Sequence, residues 1–152
     1  MLPLQSCSRM FAVCIAVITG LVLIGCDSHG PRAADGKVIP RGRILQNGLP
    51  VKATGENLPP GDPGMSVRFI AIGGIDAGKE FLAQMGDEED GSFELIGPDA
   101  KGIPPGKYRV EIFLAPEGGT DQFKGKYSRE NSPIEVEIKE GEDLVIELSD
   151  YK

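Results

Sequence analysis

Residues that could carry nucleophilic or metal-binding chemistry are few in this chain of 152 residues. The only histidine is His29, and the three cysteines are Cys7, Cys14 and Cys26. A serine or cysteine nucleophile needs a base within hydrogen-bond reach, and a zinc site of the His/Cys type needs several such ligands together. A single histidine supplies neither arrangement. We therefore expect a protein that is not an enzyme and that holds no cofactor.

Carboxylates are plentiful, with 23 Asp and Glu against 16 Lys and Arg. In the densest acidic run, Asp87, Glu89 and Asp90 could offer oxygen ligands to Ca²⁺, although their spacing differs from that of the EF-hand loop. The favoured interpretation is a solvated hairpin whose charges oppose aggregation, and a Ca²⁺ site remains an open alternative. Paired carboxylates could also serve a glycosidase, but the chain has no Trp and only 6% aromatic residues to hold a sugar.

A second group combines positive charge with an aromatic ring and consists of Lys124, Lys126, Tyr127 and Arg129. It lies in residues 116–132, which we predict to be a long surface loop. Loops of this kind often carry binding function on a rigid β scaffold. The group could contact an anionic envelope polymer or lipid headgroups, and solvated side chains are the more usual alternative. Nucleic acid is not expected as a partner, because the formal net charge is −7.

The N-terminal residues predict export. Residues 1–25 contain no Asp or Glu and a single arginine, Arg9, followed by the apolar run MFAVCIAVITGLVLIG from Met10 to Gly25. A helix of this length spans about 24 Å, which is shorter than the roughly 30 Å hydrocarbon core of a bilayer. A cleaved signal peptide is therefore favoured over a transmembrane helix.

The apolar run ends in four residues that resemble the bacterial lipobox, namely Leu23, Ile24, Gly25 and Cys26. In lipoproteins with this motif, a signal peptidase cuts before a cysteine that carries a diacylglyceryl group. The resemblance implies an exported chain that is anchored to a bacterial envelope membrane by a lipid on Cys26. An ordinary signal peptide with an incidental cysteine is the alternative. Removal of Cys7 and Cys14 would leave no intramolecular disulfide.

These features divide the chain into three parts. Residues 1–25 are predicted to be the signal peptide, and residues 26–36 the lipidated cysteine and a flexible tether that contains His29. Residues 37–152 are predicted to form one β domain. There the apolar residues recur at every second position, as in Lys107–Leu114, where only Phe113 interrupts the charged face.

Six further segments are predicted to be strands: Val38–Leu45, Met65–Ile72, Phe81–Met85, Phe93–Ile96, Ile134–Ile138 and Leu144–Leu148. The last two are predicted to pair as a C-terminal hairpin across the turn at Glu140-Gly141. No window after residue 36 has a helical period. The sequence therefore predicts an all-β, seven-stranded antiparallel Greek-key sandwich, with a second long loop at residues 54–64.

Three motifs of this domain form a recognisable series. They are GRILQNGLPV at residues 42–51, DEEDGSF at residues 87–93 and GIPPGKYRV at residues 102–110. The series resembles the carboxypeptidase regulatory-like domain, a transthyretin-like (prealbumin-like) β-sandwich, over about residues 36–148. The resemblance implies a surface location and a binding or structural role without catalysis. Transthyretin-like hydrolases of purine breakdown use several histidines, which this chain lacks.

The sequence thus predicts a non-catalytic, lipid-anchored protein of the bacterial cell envelope. Its β-sandwich would bind or brace another envelope component, either a protein or a polymer. A Ca²⁺-dependent or carbohydrate-binding surface receptor component remains the alternative. Such a receptor would place its site in the loop at residues 116–132 or in the acidic hairpin.

Overall fold

Short strands account for most of the regular structure of this chain. A computed structural model describes residues 33–52, 64–86, 90–115 and 119–151. Helical structure in these residues is limited to two 3₁₀ turns, Pro98–Ala100 and Leu148–Asp150. The nine strands are β1 (Arg41–Gln46), β2 (Leu49–Pro50), β3 (Met65–Ala71), β4 (Glu80–Leu82), β5 (Gln84–Met85), β6 (Ser92–Glu94), β7 (Gly106–Leu114), β8 (Glu135–Ile138) and β9 (Leu144–Glu147).

The strands form two sheets. One has four antiparallel strands in the order β4-β3-β7-β8. The other has five strands, in which β1 pairs with β2 and β6 in antiparallel fashion and with β9 in parallel. β9 pairs with residues 42–45 of β1, some of which also pair with β2 or β6. β9 therefore lies on one side of β1, and β2 and β6 lie on the other side. The fold is therefore all-β with two sheets, as the sequence predicts.

Alternate residues of the strands face a shared core. Ile44 of the five-stranded sheet and Val67 and Val110 of the four-stranded sheet are completely buried. The rings of Phe69 and Phe93 join the two sheets, with centroids 5.5 Å apart. The period-two pattern of the sequence thus identifies the buried face correctly.

Gly42 makes close packing possible at the centre of the five-stranded sheet. It pairs with Phe93 on one side and with Leu144 on the other. A Cβ atom at this position would lie 2.4 Å from the Leu144 carbonyl oxygen and 2.6 Å from Cζ of Phe93. The Phe93 ring therefore occupies the space that a side chain at residue 42 would need.

The predicted C-terminal hairpin is wrong, because its two strands belong to different sheets. β8 pairs with β7 in the four-stranded sheet, whereas β9 pairs in parallel with β1. Ile138 and Ile146 both face the core, so the alternation of each strand is satisfied. Alternation identifies the buried face of a strand but contains no information on which neighbouring edge the strand will join. The same pairing makes the predicted all-antiparallel arrangement wrong for β9.

A second difference concerns the predicted strand Phe81–Met85, which divides between the two sheets. Glu80–Leu82 pairs with β3, and Gln84–Met85 pairs with β6. The chain changes sheet at Ala83, whose N–H still donates to the Val67 carbonyl at 2.9 Å. With this division and with the short strand β2, the described residues contain nine strands where the sequence predicts seven.

The described chain begins at one end of the sandwich, which we call the proximal end. Ala34 N–H donates to the Lys101 carbonyl at 2.9 Å, and Val38 forms an isolated bridge with Ile103. β7 starts shortly after Ile103, and β3 finishes beside the start of β7 because the two strands are antiparallel. The proximal end therefore includes the turn between β3 and β4.

The opposite, distal end holds the turn between β1 and β2. Asn47 and Gly48 both have positive φ, 54° and 75°, which suits the Asn-Gly sequence of this two-residue turn. The Glu147 carboxylate accepts hydrogen bonds from both backbone N–H groups at 2.8 Å. A cleft at this end is lined by residues of both sheets, including Gln46 and Leu114.

Candidate functional site

Residues 119–133, which we call the edge loop, precede β8. They lie along the second half of β7, beyond the last β7–β8 pair, Arg109 with Glu135. Ile112 N–H donates to the Tyr127 carbonyl at 3.0 Å, and Val110 N–H donates to the Ile134 carbonyl at 2.9 Å. The Ser132 hydroxyl donates to the Val110 carbonyl. The loop therefore satisfies backbone groups of β7 that would otherwise form an open sheet edge.

Asp121 fixes the start of the edge loop. Its carboxylate accepts hydrogen bonds from the backbone N–H groups of Leu114 at 3.1 Å, Phe123 at 3.2 Å and Gly125 at 2.7 Å. Lys124 lies inside this turn with a φ of 54°. One carboxylate thus holds the loop on the end of β7, and Lys124 is presented at the surface between two anchored residues.

Tyr127 and Lys126 attach the edge loop to the C-terminal residues. The Tyr127 side chain is only 3% exposed, and its hydroxyl donates to the Leu148 carbonyl at 3.2 Å. The Phe123 ring packs edge-on against it at 4.9 Å. Lys126 Nζ donates to the Tyr151 carbonyl at 2.8 Å and lies 4.9 Å from the centre of the Tyr127 ring. The structure therefore places both side chains in contacts within the molecule.

Arg129 spans the outer face of the four-stranded sheet. Its guanidinium forms an ion pair with Glu80 of β4, although the edge loop lies beyond β7 on the other side of β3. Ile70 faces outward between its neighbours Glu80 and Arg109, yet it is only 8% exposed. The ion pair of Arg129 with Glu80 therefore links the edge loop to β4.

The rest of this outer face contains two clefts that share Glu111 and Phe113. The first has a volume of about 360 Å³ and the second about 490 Å³. Phe113 is 48% exposed between them. The β3 side adds Ser66 and Arg68 to the lining, and the edge-loop side adds Gly119, Thr120, Asp121, Lys124, Gly125 and Ser128. We call this region the Glu111–Phe113 cleft.

The cleft carries an unused hydrogen-bond acceptor. Glu111 Oε2 is buried and has no hydrogen-bond donor among the described residues, and its ion-pair partner Arg68 Nη1 lies 3.7 Å away. Arg109 Nε is also buried and has no hydrogen-bond acceptor among the residues that the structure describes, while Arg109 Nη2 donates to Glu135 at 3.3 Å. A bound hydroxyl or ammonium group could donate to Glu111, since a buried polar atom without a partner is costly.

The acidic hairpin is described only in part. Asp90 Oδ1 accepts a hydrogen bond from the Ser92 N–H at 2.9 Å, and hydrogen bonds from the Ser92 side chain and backbone hold the pKa of Asp90 below its usual value. Asp87 and Glu89 lie outside the described residues. Within the described ranges, no group of three or more His, Cys, Asp or Glu residues could hold a metal ion.

Sequence reasoning missed Glu111, Phe113 and Arg68 as site residues. The available signal was Phe113, the single apolar residue on the charged face of its strand. Of the residues predicted as a binding group, Lys124 lines the cleft. Arg129, Lys126 and Tyr127 have partners within the fold. The lipobox residues Leu23, Ile24, Gly25 and Cys26 lie outside the described residues.

No helix in the described ranges is long and apolar enough to cross a membrane. Comparison of the chain with models of known protein families, with curated proteins and with solved structures found no match. The interpretation of the Glu111–Phe113 cleft therefore rests on its own geometry and chemistry.

Proposed function

We propose that this protein is a non-catalytic lipoprotein of a bacterial cell envelope, whose β-sandwich binds or braces another envelope component. The anchoring rests on the lipobox-like residues that end at Cys26. The binding role is carried by one observation, the half-exposed Phe113 ring between two clefts and beside a Glu111 oxygen that accepts no hydrogen bond from the described residues. An exposed aromatic ring with adjacent polar groups is typical of a binding surface.

We further propose that the sandwich is transthyretin-like and of the carboxypeptidase regulatory-like kind. Its support comes from the places that the resembling motifs occupy. Residues 42–51 span β1, the Asn-Gly turn and β2. Gly91 has a φ of 65° at the turn before β6, and Pro104 and Pro105 lead directly into β7. The described residues of the three motifs thus lie in strands and in the turns that lead into strands, which supports the proposal.

The face around Phe113 supports a partner with both apolar and hydrogen-bonding groups. Elsewhere on this face the charges are paired within the molecule, as in Arg109 with Glu135 and Arg129 with Glu80. At the cleft, Glu111 is also ion-paired, with Arg68 at 3.7 Å, but its Oε2 atom accepts no hydrogen bond from the described residues, and Phe113 keeps apolar surface.

Site-specific photocrosslinking in cells tests the binding role. A crosslinking residue at Phe113 of the tagged full-length chain should give an adduct of defined mass. The same residue at Leu49 is the matched control, because Leu49 is 69% exposed and also lies toward the distal end. Equal adducts from both positions, or none from residue 113, would refute a partner at the cleft.

Mass spectrometry of the native protein tests the anchor separately. We expect an N-terminal peptide that starts at Cys26 and carries acyl chains, and we expect a Cys26→Ser variant to lose this modification. An N-terminus at another residue, or an unmodified Cys26, would contradict the lipoprotein assignment. The crosslinking result would then still report on the cleft.

Carbohydrate binding is a second candidate, and the same cleft favours it. An aromatic ring can pack on the C–H face of a sugar, while Glu111 and Arg68 can bond its hydroxyl groups. Calorimetric titration with envelope oligosaccharides should show heat that Phe113→Ala removes. Titration with Ca²⁺ under the same conditions separates this candidate from a Ca²⁺-dependent receptor, for which metal alone should give heat or raise thermal stability.

A further inference from the structure

The turn between β3 and β4, residues 72–79, carries a fully exposed isoleucine at its tip. Ile75 is 100% exposed. The turn is closed by hydrogen bonds from Gly78 N–H to the Ala71 carbonyl at 2.8 Å and from Ala71 N–H to the Lys79 carbonyl at 2.9 Å. Asp76 and Lys79 form an ion pair within it. A closed turn thus presents a large apolar side chain to solvent.

This turn lies beside the point where the chain enters the domain. Ile72 N–H donates to the Lys107 carbonyl at 3.1 Å at the start of β7. Burial raises the pKa of Tyr108 to about 12, and the negative charge of Asp76 adds to this rise, which places Asp76 near Tyr108. The Tyr108 hydroxyl donates to the Pro104 carbonyl at 2.6 Å, next to the bridge between Ile103 and Val38. These contacts place the turn at the proximal end.

Chain connectivity limits the distance from this end to a lipid on Cys26. Cys26 and Ala33 are seven residues apart. Seven fully extended residues reach at most about 25 Å. A lipid on Cys26 would therefore hold the proximal end within that distance of the bilayer, and the orientation of the domain then depends on a further contact.

We infer that Ile75 inserts into the surface of the membrane that carries the lipid anchor, and that it acts as a second, apolar contact. This inference rests on the proposed lipidation of Cys26. Burial of an isoleucine side chain in an apolar medium is favourable, and the turn exposes this side chain completely. Charge does not favour the contact. Lys101 and Lys107 lie at the proximal end together with Asp35 and Asp99, and the turn between β8 and β9 adds Glu140, Glu142 and Asp143 against Lys139, so the apolar tip must carry the contact.

The contact would orient the domain. Phe113 pairs with Ser66 near the start of β3, which lies toward the distal end. With Ile75 at the bilayer, the Glu111–Phe113 cleft would lie on the half of the sandwich that is farther from the membrane. A partner in the periplasm or at the opposite face of the envelope could then reach it.

A tryptophan probe tests this inference directly, because the chain contains no Trp. The full-length, lipidated Ile75→Trp protein is reconstituted in phosphatidylethanolamine and phosphatidylglycerol vesicles, with and without brominated acyl chains. We expect its emission to shift to shorter wavelength on reconstitution and to be quenched by the brominated lipid. Leu49→Trp is the matched control, because Leu49 is also exposed but lies at the distal end.

The outcomes separate the two proposals. Quenching at residue 75 with none at residue 49 supports the contact. Emission at residue 75 that matches the control, or equal quenching at both positions, overturns it, provided that mass spectrometry shows acyl chains on Cys26. Absence of acyl chains would instead refute the lipoprotein assignment. Both substitutions are at exposed positions, and thermal unfolding of each variant checks that the domain is intact.

Discussion

The edge loop and the β3–β4 turn both connect strands of the four-stranded sheet, but they differ in what their side chains do. The edge loop directs Tyr127 into the core and uses Asp121 to bind three backbone N–H groups. The turn is closed by its own residues and leaves Ile75 fully exposed. A long, charged loop can thus be part of the fold, while a short turn keeps a side chain available for a partner.

The largest expected effect comes from Tyr127→Ala in the edge loop. Loss of this buried ring and of its contact with Phe123 should lower the free energy of unfolding by about 3–5 kcal/mol. Tyr127→Phe keeps the ring and removes only the bond to the Leu148 carbonyl, so it should cost about 1 kcal/mol. Chemical denaturation measures both variants. A cost near zero for Tyr127→Ala would show that the edge loop is not part of the core.

Asp121→Ala should have the next largest effect. It leaves the backbone N–H groups of Leu114, Phe123 and Gly125 without their shared acceptor, which should cost about 1–3 kcal/mol. Amide exchange in residues 119–126 should also become faster. Asp121→Asn retains one oxygen and should fall between the wild type and Asp121→Ala. Unchanged exchange in the alanine variant would contradict the anchoring role of Asp121.

Stability at the distal end should depend on pH through Glu147. This residue bonds to the β1–β2 turn and to Ser149, next to Leu148, to which Tyr127 of the edge loop is attached. Hydrogen bonds from the Ser149 hydroxyl and from the backbone N–H groups of Gly48, Ser149 and Asn47 lower the pKa of Glu147 from 4.5 to about 2. The resulting stabilisation is complete above pH 4.5 and is lost as the pH falls towards 2.

A Glu147→Gln variant should therefore be less stable than the wild type at neutral pH, and the difference should shrink as the pH is lowered. Thermal unfolding of both proteins across this range measures the change. A difference that does not vary with pH would show that the negative charge of Glu147 is not what holds the β1–β2 turn.

The smallest expected effect on stability is that of Ile75→Ser. Because the side chain is fully exposed, the free energy of unfolding should change by no more than about 0.5 kcal/mol. A substantial loss of stability in solution would give Ile75 a role in the fold and would remove the contrast with the edge loop.

The faces of the strands could be predicted from the sequence, but not their neighbours. The alternation in Lys107–Leu114 correctly identifies a buried face that includes Tyr108 and Val110. The partners of β8 and β9 and the change of sheet at Ala83 depend on which edges are open in three dimensions. Period-two patterns are equally compatible with several such arrangements.

The candidate site was less predictable for a related reason. Phe113 carried a visible signal, because it interrupts a charged face. In the sequence, Arg129 and Tyr127 look like members of a solvated binding group. Composition does not show that Arg129 pairs with Glu80 or that Tyr127 enters the core. Ile75 carried no signal at all, because a single isoleucine that follows two glycines and precedes Asp76 has no periodicity to interpret.

The parallel pairing of β1 with β9 also determines when the domain can finish folding. Asn47 and Glu147, which bond across this part of the sheet, are 100 positions apart in the chain. Contacts between such distant segments make folding slow, and β1 cannot gain its β9 neighbour until the chain has been synthesised through residue 147. For the exported lipoprotein that we propose, such late closure would leave the polypeptide unfolded for passage through a translocation channel, and the domain would become complete only on the far side.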